Sequence, residues 1–154
     1  MAKIGKITFA ERMRIRRALV QDKLAAFAKD LNVRGRTHDN SAFGSPEAEY
    51  GRDWYEHPIT DTGIPPKDME ENFRYYQNHH HLHNDHHPEH FVNGIDDMHL
   101  GQILEWLFDE MSECEQEQRD IYEMMKLLAV KYNISNQLYG ILLNTIREMR
   151  YLKR

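Results

Sequence analysis

Between His79 and His90 the chain reads HHHLHNDHHPEH, and this stretch holds seven of its ten histidines. Imidazole is the commonest metal ligand among side chains and titrates near neutrality. Apolar packing rarely calls for it at that density. Leu82, Asn84, Asp85, Pro88 and Glu89 interrupt the run, so it is not a purification tag. Upstream stands the pair His38-Asp39, and downstream Glu105 and Asp109 are spaced four apart, on one face of a helix. A mixed imidazole and carboxylate set suits zinc, iron, manganese or nickel better than magnesium. A metal with an open position activates water, most naturally for hydrolysis of a phosphate ester. The expectation is a polar pocket that holds a divalent cation, a phosphate or both.

Each motif also has a plainer reading. Adjacent residues such as His38 and Asp39 diverge on regular structure, but at a helix-to-loop junction both can turn to one ion. Otherwise Asp39 is an ordinary turn residue. Glu105 and Asp109 lie beside Leu104, Leu107 and Phe108, at the edge of a core, where a carboxylate pairs with arginine or ligates a metal. Exposed acids are the plainer case. His79 and His83 share a helix face, and His80 and His83 nearly do, so two or three imidazoles can converge. The others are then solvated or support the ligands.

These groups need scaffolding, and the composition sets its kind. At 154 residues with 40% hydrophobic and 29% charged content, one soluble domain, 1–154, is expected, with 1–7 a flexible segment. No run approaches the ~18 apolar residues of a membrane span, and the basic N-terminus lacks a secretory h-region. The single cysteine, Cys114, excludes an intrachain disulfide and a multi-cysteine zinc site, and favours the cytoplasm. A net charge of −5 makes nucleic-acid binding an unfavoured reading and membrane partners have no support; a homo-oligomer stays open. No Gly-rich phosphate loop, G-x-S-x-G elbow or cysteine-nucleophile pattern is present.

The elements follow from periodicity. Thr8 and Glu11 form a capping box, and Phe9, Met13, Val20, Leu24, Phe27 and Leu31 make one stripe on a first helix. Arg16 or Arg17 should lie near its inward edge, where a basic residue needs an anion or a wet cavity. Asn32 to Pro66 is rich in turn signals and reads as a long, functional loop between the first two helices. A second helix begins after Pro66, with Met69, Phe73, Tyr76, His80 and His83 inward. An irregular segment, 84–97, precedes a third helix from about Met98 to Gln116, with Leu100, Ile103, Leu104, Leu107, Met111 and Cys114 inward. Ile121, Met124, Met125 and Leu128 mark a fourth. Ser135 caps a fifth, striped by Leu138, Ile141, Leu142, Thr145, Met149 and Leu152. The fold class expected is all-α, a compact bundle of about five helices.

The segments RGRTHDNSAFGSPEAE, HHHLHNDHHPEHFVNGIDDMHL, ILEWLFDEM and YNISNQLYGILLNTIREM resemble a small phage and bacterial family catalogued as a domain of unknown function. Its pattern runs HD-x-SK-[FL], then HH-x-x-HN-x-HHPEHF, then EM-x-x-DW, and the resemblance covers nearly the whole chain. The family in turn resembles HD-domain metal-dependent phosphohydrolases, whose fold is all-helical and whose histidines and aspartates bind one or two metals. Carried onto this chain, the resemblance touches His38, Asp39, Glu47, His79, His80, His83, Asn84, His86, His87, Glu89, Glu105 and Asp109. Relatives carry a histidine about where Arg16 stands and a lysine where Ala42 stands. The first departure, loss of a neutral ligand and gain of a guanidinium, weakens a metal site and favours phosphate, which the arginine fork matches.

The expected function is an HD-like phosphohydrolase acting on a nucleotide or related small phosphate ester. His38, Asp39, His79 or His80, and Asp109 would ligate manganese, iron, zinc or nickel. Glu105, His83 and His86 would orient water or move protons, while Arg16, Arg34, Arg36, Asn84 and His87 hold the phosphorylated ligand. The alternative is a phage-encoded protein that sequesters a nucleotide or signal molecule without turnover, in a bacterial or phage-infected cytoplasm.

Overall fold

A computed structural model describes residues 7–56 and 67–152. The segment expected to be flexible lies, up to residue 6, outside these residues, as do Pro66 and the turn signals of 57–66. Among the described residues there are six α-helices, three short 3₁₀ turns and no strand. The helices are α1 (Phe9–Thr37), α2 (Glu47–Glu56), α3 (Lys67–His83), α4 (Leu100–Gln116), α5 (Ile121–Lys131) and α6 (Asn136–Leu152). The all-α expectation holds, with one helix more than anticipated.

The chain divides into two units, Met1–Thr37 and His38–Arg154. The first is essentially α1. Its capping box is formed as the sequence dictates: Thr8 N–H donates to Glu11 Oε2 at 2.8 Å and Glu11 N–H to Thr8 Oγ1 at 3.2 Å. Its expected stripe is not a core face, however, because no residue of α1 is buried. Arg16 and Arg17 are exposed rather than at an inward edge.

Within the second unit, the expected long loop after the first helix is instead a 3₁₀ turn at Asn40–Phe43 followed by α2. The Gly-Ser-Pro breaker ends one element and opens the next, since Pro46 lies just ahead of the α2 start at Glu47. Helix α2 packs on α3 through aromatic rings: Trp54 stacks on Phe73 at 4.0 Å, and Tyr50 meets Tyr75 edge-on at 5.6 Å. Gly51 permits this approach, because a Cβ there would sit 3.3 Å from Tyr76 Cε2.

The apolar core lies among α4, α5 and α6, where Trp106, Leu107, Met125, Leu142 and Ile146 are essentially inaccessible. His83, expected on the inward face of α3, is exposed there, and two positions of α4 and α6 also depart from the expected stripes. Leu100 and Ile141 are exposed, while Trp106 and Ile146 take the buried places. Ser135 does cap α6, its Oγ accepting from Leu138 N–H at 3.3 Å. Asn133, with φ 51°, ends α5 in the left-handed conformation, and Ile134 N–H returns to Ala129 carbonyl at 2.9 Å. His99 opens α4: its Nδ1 accepts from Gly101 N–H, and Gln102 Oε1 accepts from His99 N–H at 2.9 Å.

A candidate metal centre

The His38-Asp39 pair follows directly on α1. Asp39 adopts φ 52° and ψ 28°, a left-handed conformation that aspartate tolerates better than most residues. This turn resolves the divergence expected of neighbours, since both side chains reach one cluster. His38 Nδ1 lies 3.1 Å from Glu105 Oε1, and its Nε2 lies 3.2 Å from Asp109 Oδ1 and 3.5 Å from Asp39 Oδ2. Glu105 and Asp109 therefore share a helix face, as their spacing requires, and grip one imidazole between them.

The mid-chain imidazoles come in from α3 and the turn after it. Gln102 fixes that turn to the start of α4 by donating to Asp85 Oδ2 at 2.7 Å. His86 is thereby carried inward until it is 2% exposed, its ring 4.5 Å from that of His38 and 4.1 Å from that of His87. The Nε2 atoms of His80 and His86 each approach Asp39 Oδ1 to 3.4 Å without hydrogen-bond alignment. Among the described residues, three buried side-chain atoms lack a hydrogen-bond partner, namely Asp39 Oδ1, His86 Nε2 and His87 Nε2. All three belong to one cluster: Asp39, His80, His86 and His87 each offer an atom within 4.8 Å of the others. His38, His86 and Asp109 form an adjoining set that shares His86.

Orphaned buried polar atoms are costly, and their convergence needs a physical reason. Three imidazole nitrogens and a carboxylate oxygen are the donor set of a divalent transition ion. The titration behaviour agrees. His87 is pushed down to about 2, by burial and then by the imidazoles of His86, His80 and His81. Burial, then the charge of His38, also lowers His86. Both rings are thus held neutral, with a lone pair available. His38 is pushed up to about 9 by its hydrogen bond to Asp109, which outweighs burial and is reinforced by Asp39 and Glu105.

Behind the cluster sits Glu47, 1% exposed. Its Oε2 accepts from His80 Nδ1 at 2.8 Å and Ser41 Oγ at 3.0 Å, and its Oε1 accepts from His79 Nδ1 at 2.7 Å. Asn84 completes the chain by donating to Ser41 Oγ at 2.7 Å and to His80 carbonyl at 2.8 Å. Burial raises the Glu47 carboxyl, but the donors from His80, His79 and Ser41 outweigh it and leave it below the ordinary value. An ionised Glu47 takes the Nδ1–H of His80 and leaves that ring's Nε2 facing Asp39.

The residues singled out from sequence are therefore sorted by the fold. Asp39, His80, His86 and His87 meet at one point; His38, Glu105 and Asp109 flank it. His79 lies on the far side of Glu47, where its ring stacks on the exposed His83, and Asn84 supports Glu47 rather than facing the cluster. Arg34 pairs with Asp30 within α1, and Arg16 and Arg36 are exposed on that helix. Sequence reasoning gave Glu47 no role. Only its place in the resemblance singled it out, because a lone acid after Pro46 carries no periodic signal. The model of a family described as a family of unknown function (DUF5662) matches residues 6–148. No curated protein and no solved structure matches the chain.

Proposed function

The chain belongs to that family of unknown function, whose description names no activity, and we propose that it is a metal-dependent phosphohydrolase acting on a nucleotide or a related small phosphate ester. The reading rests on the convergence of Asp39 Oδ1, His86 Nε2 and His87 Nε2, each buried without a hydrogen-bond partner, beside His80. These four residues would hold a divalent ion of the manganese, iron, zinc or nickel kind. Bound there, the ion would supply an activated water and a positive charge for the phosphoryl oxygens.

The protein's own groups then have separable tasks. Glu47 holds His80 in one tautomer, a carboxylate-histidine pairing that fixes ring orientation and raises ligand basicity. His38, raised to about 9, carries its proton between Glu105 and Asp109, and either carboxylate can recharge the ring once that proton has been given up. His38, half-buried between two acids, is placed to return the proton to a departing oxygen. The likeness of the family to HD-domain phosphohydrolases, an analogy at the level of fold, favours the same reaction class.

The test uses the full chain stripped with chelator. Reloading with Mn(II), Fe(II), Zn(II) or Ni(II) should restore release of phosphate from a panel of nucleoside phosphates and raise the melting temperature. A ligand at a hundred times its dissociation constant stabilises by about 2.7 kcal/mol. Asp39→Asn should abolish the release of phosphate and most of the rise in melting temperature. A stripped protein that takes up no ion defeats the reading; a nucleotide held tightly and recovered intact favours sequestration instead.

A further inference from the structure

Glu47 has two faces. One oxygen serves the buried cluster through His80, and the other serves His79, whose side chain is 24% exposed and lies outside that cluster. His79 is followed one helical turn later by His83, and their rings stack at 3.9 Å with 15° between the planes. One ligand atom from each of Glu47, His79 and His83 lies within 4.8 Å of the others.

The hydrogen bonds decide which nitrogens are available. His79 Nδ1 donates to Glu47 Oε1 at 2.7 Å, and His83 Nδ1 donates to the His79 carbonyl at 2.8 Å. A carboxylate and a carbonyl only accept, so Nδ1 bears a hydrogen in both rings and Nε2 is the nitrogen left to meet an ion. Metal-ligating histidines are commonly prepared in this way, one ring N–H given to a carboxylate or backbone carbonyl so that the other nitrogen is free and basic. Two imidazoles in consecutive turns of a helix, stacked and reached by solvent, can chelate one ion.

From these contacts we infer that His79 and His83 form a second, solvent-accessible site for a first-row transition ion, separate from the buried cluster and oriented by Glu47 from behind. The donor chemistry selects nitrogen-seeking ions such as Zn(II), Ni(II) and Cu(II) over Mg(II) or Ca(II). With two protein nitrogens, the site is weaker than the buried one and exchanges its ion more readily. It does not depend on any reaction at the buried cluster.

Zinc titration calorimetry of the chelator-stripped full chain tests it, with circular dichroism to confirm that each variant is folded. The wild type should bind two ions with distinguishable affinities. His83→Ala, at an exposed position, should weaken the looser class by at least ~10-fold and leave the tighter class in place. Asp39→Asn should do the reverse. His90→Ala, an exposed imidazole of the same stretch, should change neither class. Equal zinc binding by His83→Ala and wild type overturns the outer site while leaving the buried one standing. Loss of an equivalent in His90→Ala overturns the assignment to His79 and His83. If His83→Ala loses an ion and Asp39→Asn loses none, the outer site holds and the buried reading falls.

Discussion

Helix α4 borders two regions that are built on opposite terms. One face gives Trp106, Leu107, Met111 and Cys114 to the apolar core with α5 and α6. The other gives Glu105 and Asp109 to a layer of imidazoles and carboxylates. The core is held by burial and dispersion, which are additive, non-directional and indifferent to which apolar residue sits where, within volume limits. The polar layer is held by directed hydrogen bonds, and it leaves three buried atoms unpartnered. A region that retains such atoms is arranged for something other than maximum stability, and under the proposed function a cation would satisfy all three at once.

Substitution in the core should give the largest effect and should ignore metal. Leu107 and Ile146 are both 0% exposed, so Leu107→Ala or Ile146→Ala should cost about 2–5 kcal/mol in urea unfolding. Added zinc should not restore the difference. If zinc did restore it, the two regions would not be independent.

Glu47→Gln tests the polar layer. The amide turns an N–H toward one of the donors from His79 and His80, and about 1–3 kcal/mol is expected for a buried donor left without an acceptor. Unlike the core variants, it should also weaken zinc affinity by about 10–100-fold, because His80 loses the group that orients it. Unchanged affinity would remove Glu47 from the metal centre's support.

The pH dependence of metal-free stability sharpens the same contrast, with one group at the edge of the core taking part: burial raises Glu110 beside Trp106 from 4.5 to about 7, so its contribution is lost as pH rises through that range. His38, raised from 6.5 to about 9, contributes stability that is complete below 6.5 and lost as pH rises toward 9. His87, lowered from 6.5 to about 2, acts oppositely: the unfolded chain takes up its proton below 6.5, so stability falls as pH drops through the range down to 2. Glu47, lowered from 4.5, adds to the acid loss as pH falls through its folded value. Stability should therefore peak near 6.5, and His38→Gln should flatten only the fall between about 7 and 9. An alkaline limb that persists in that variant would assign it elsewhere.

The smallest effect belongs to the frame that joins the core helices. Asp120 caps α5 by accepting from Tyr122 N–H at 2.7 Å and Glu123 N–H at 3.3 Å. Asp120→Ala should cost about 1 kcal/mol in thermal or urea unfolding, with zinc affinity untouched.

Much of this was written in residue order. The 3.6-residue recurrence of Leu107, Met111, Met125, Leu128 and Leu142 set the helices, Thr8-Glu11 and Ser135 set their starts, and the four-residue step from Glu105 to Asp109 put two acids on one face. Those are local consequences of helix geometry, which the chain carries without reference to anything distant. The sequence also announced that imidazoles and acids would matter. It did not say which would meet. That His80 enters the cluster while His79, one residue earlier, turns outward depends on Glu47 standing between them, thirty-two residues away in sequence. That Asp39 faces His86 depends on one left-handed residue and on Gln102 drawing Asp85 toward α4. The stripe of α1 and the turn-rich stretch that holds α2 misled for the same reason: burial and hydrogen-bond partners are properties of folded neighbours, and periodicity records only the local half of them.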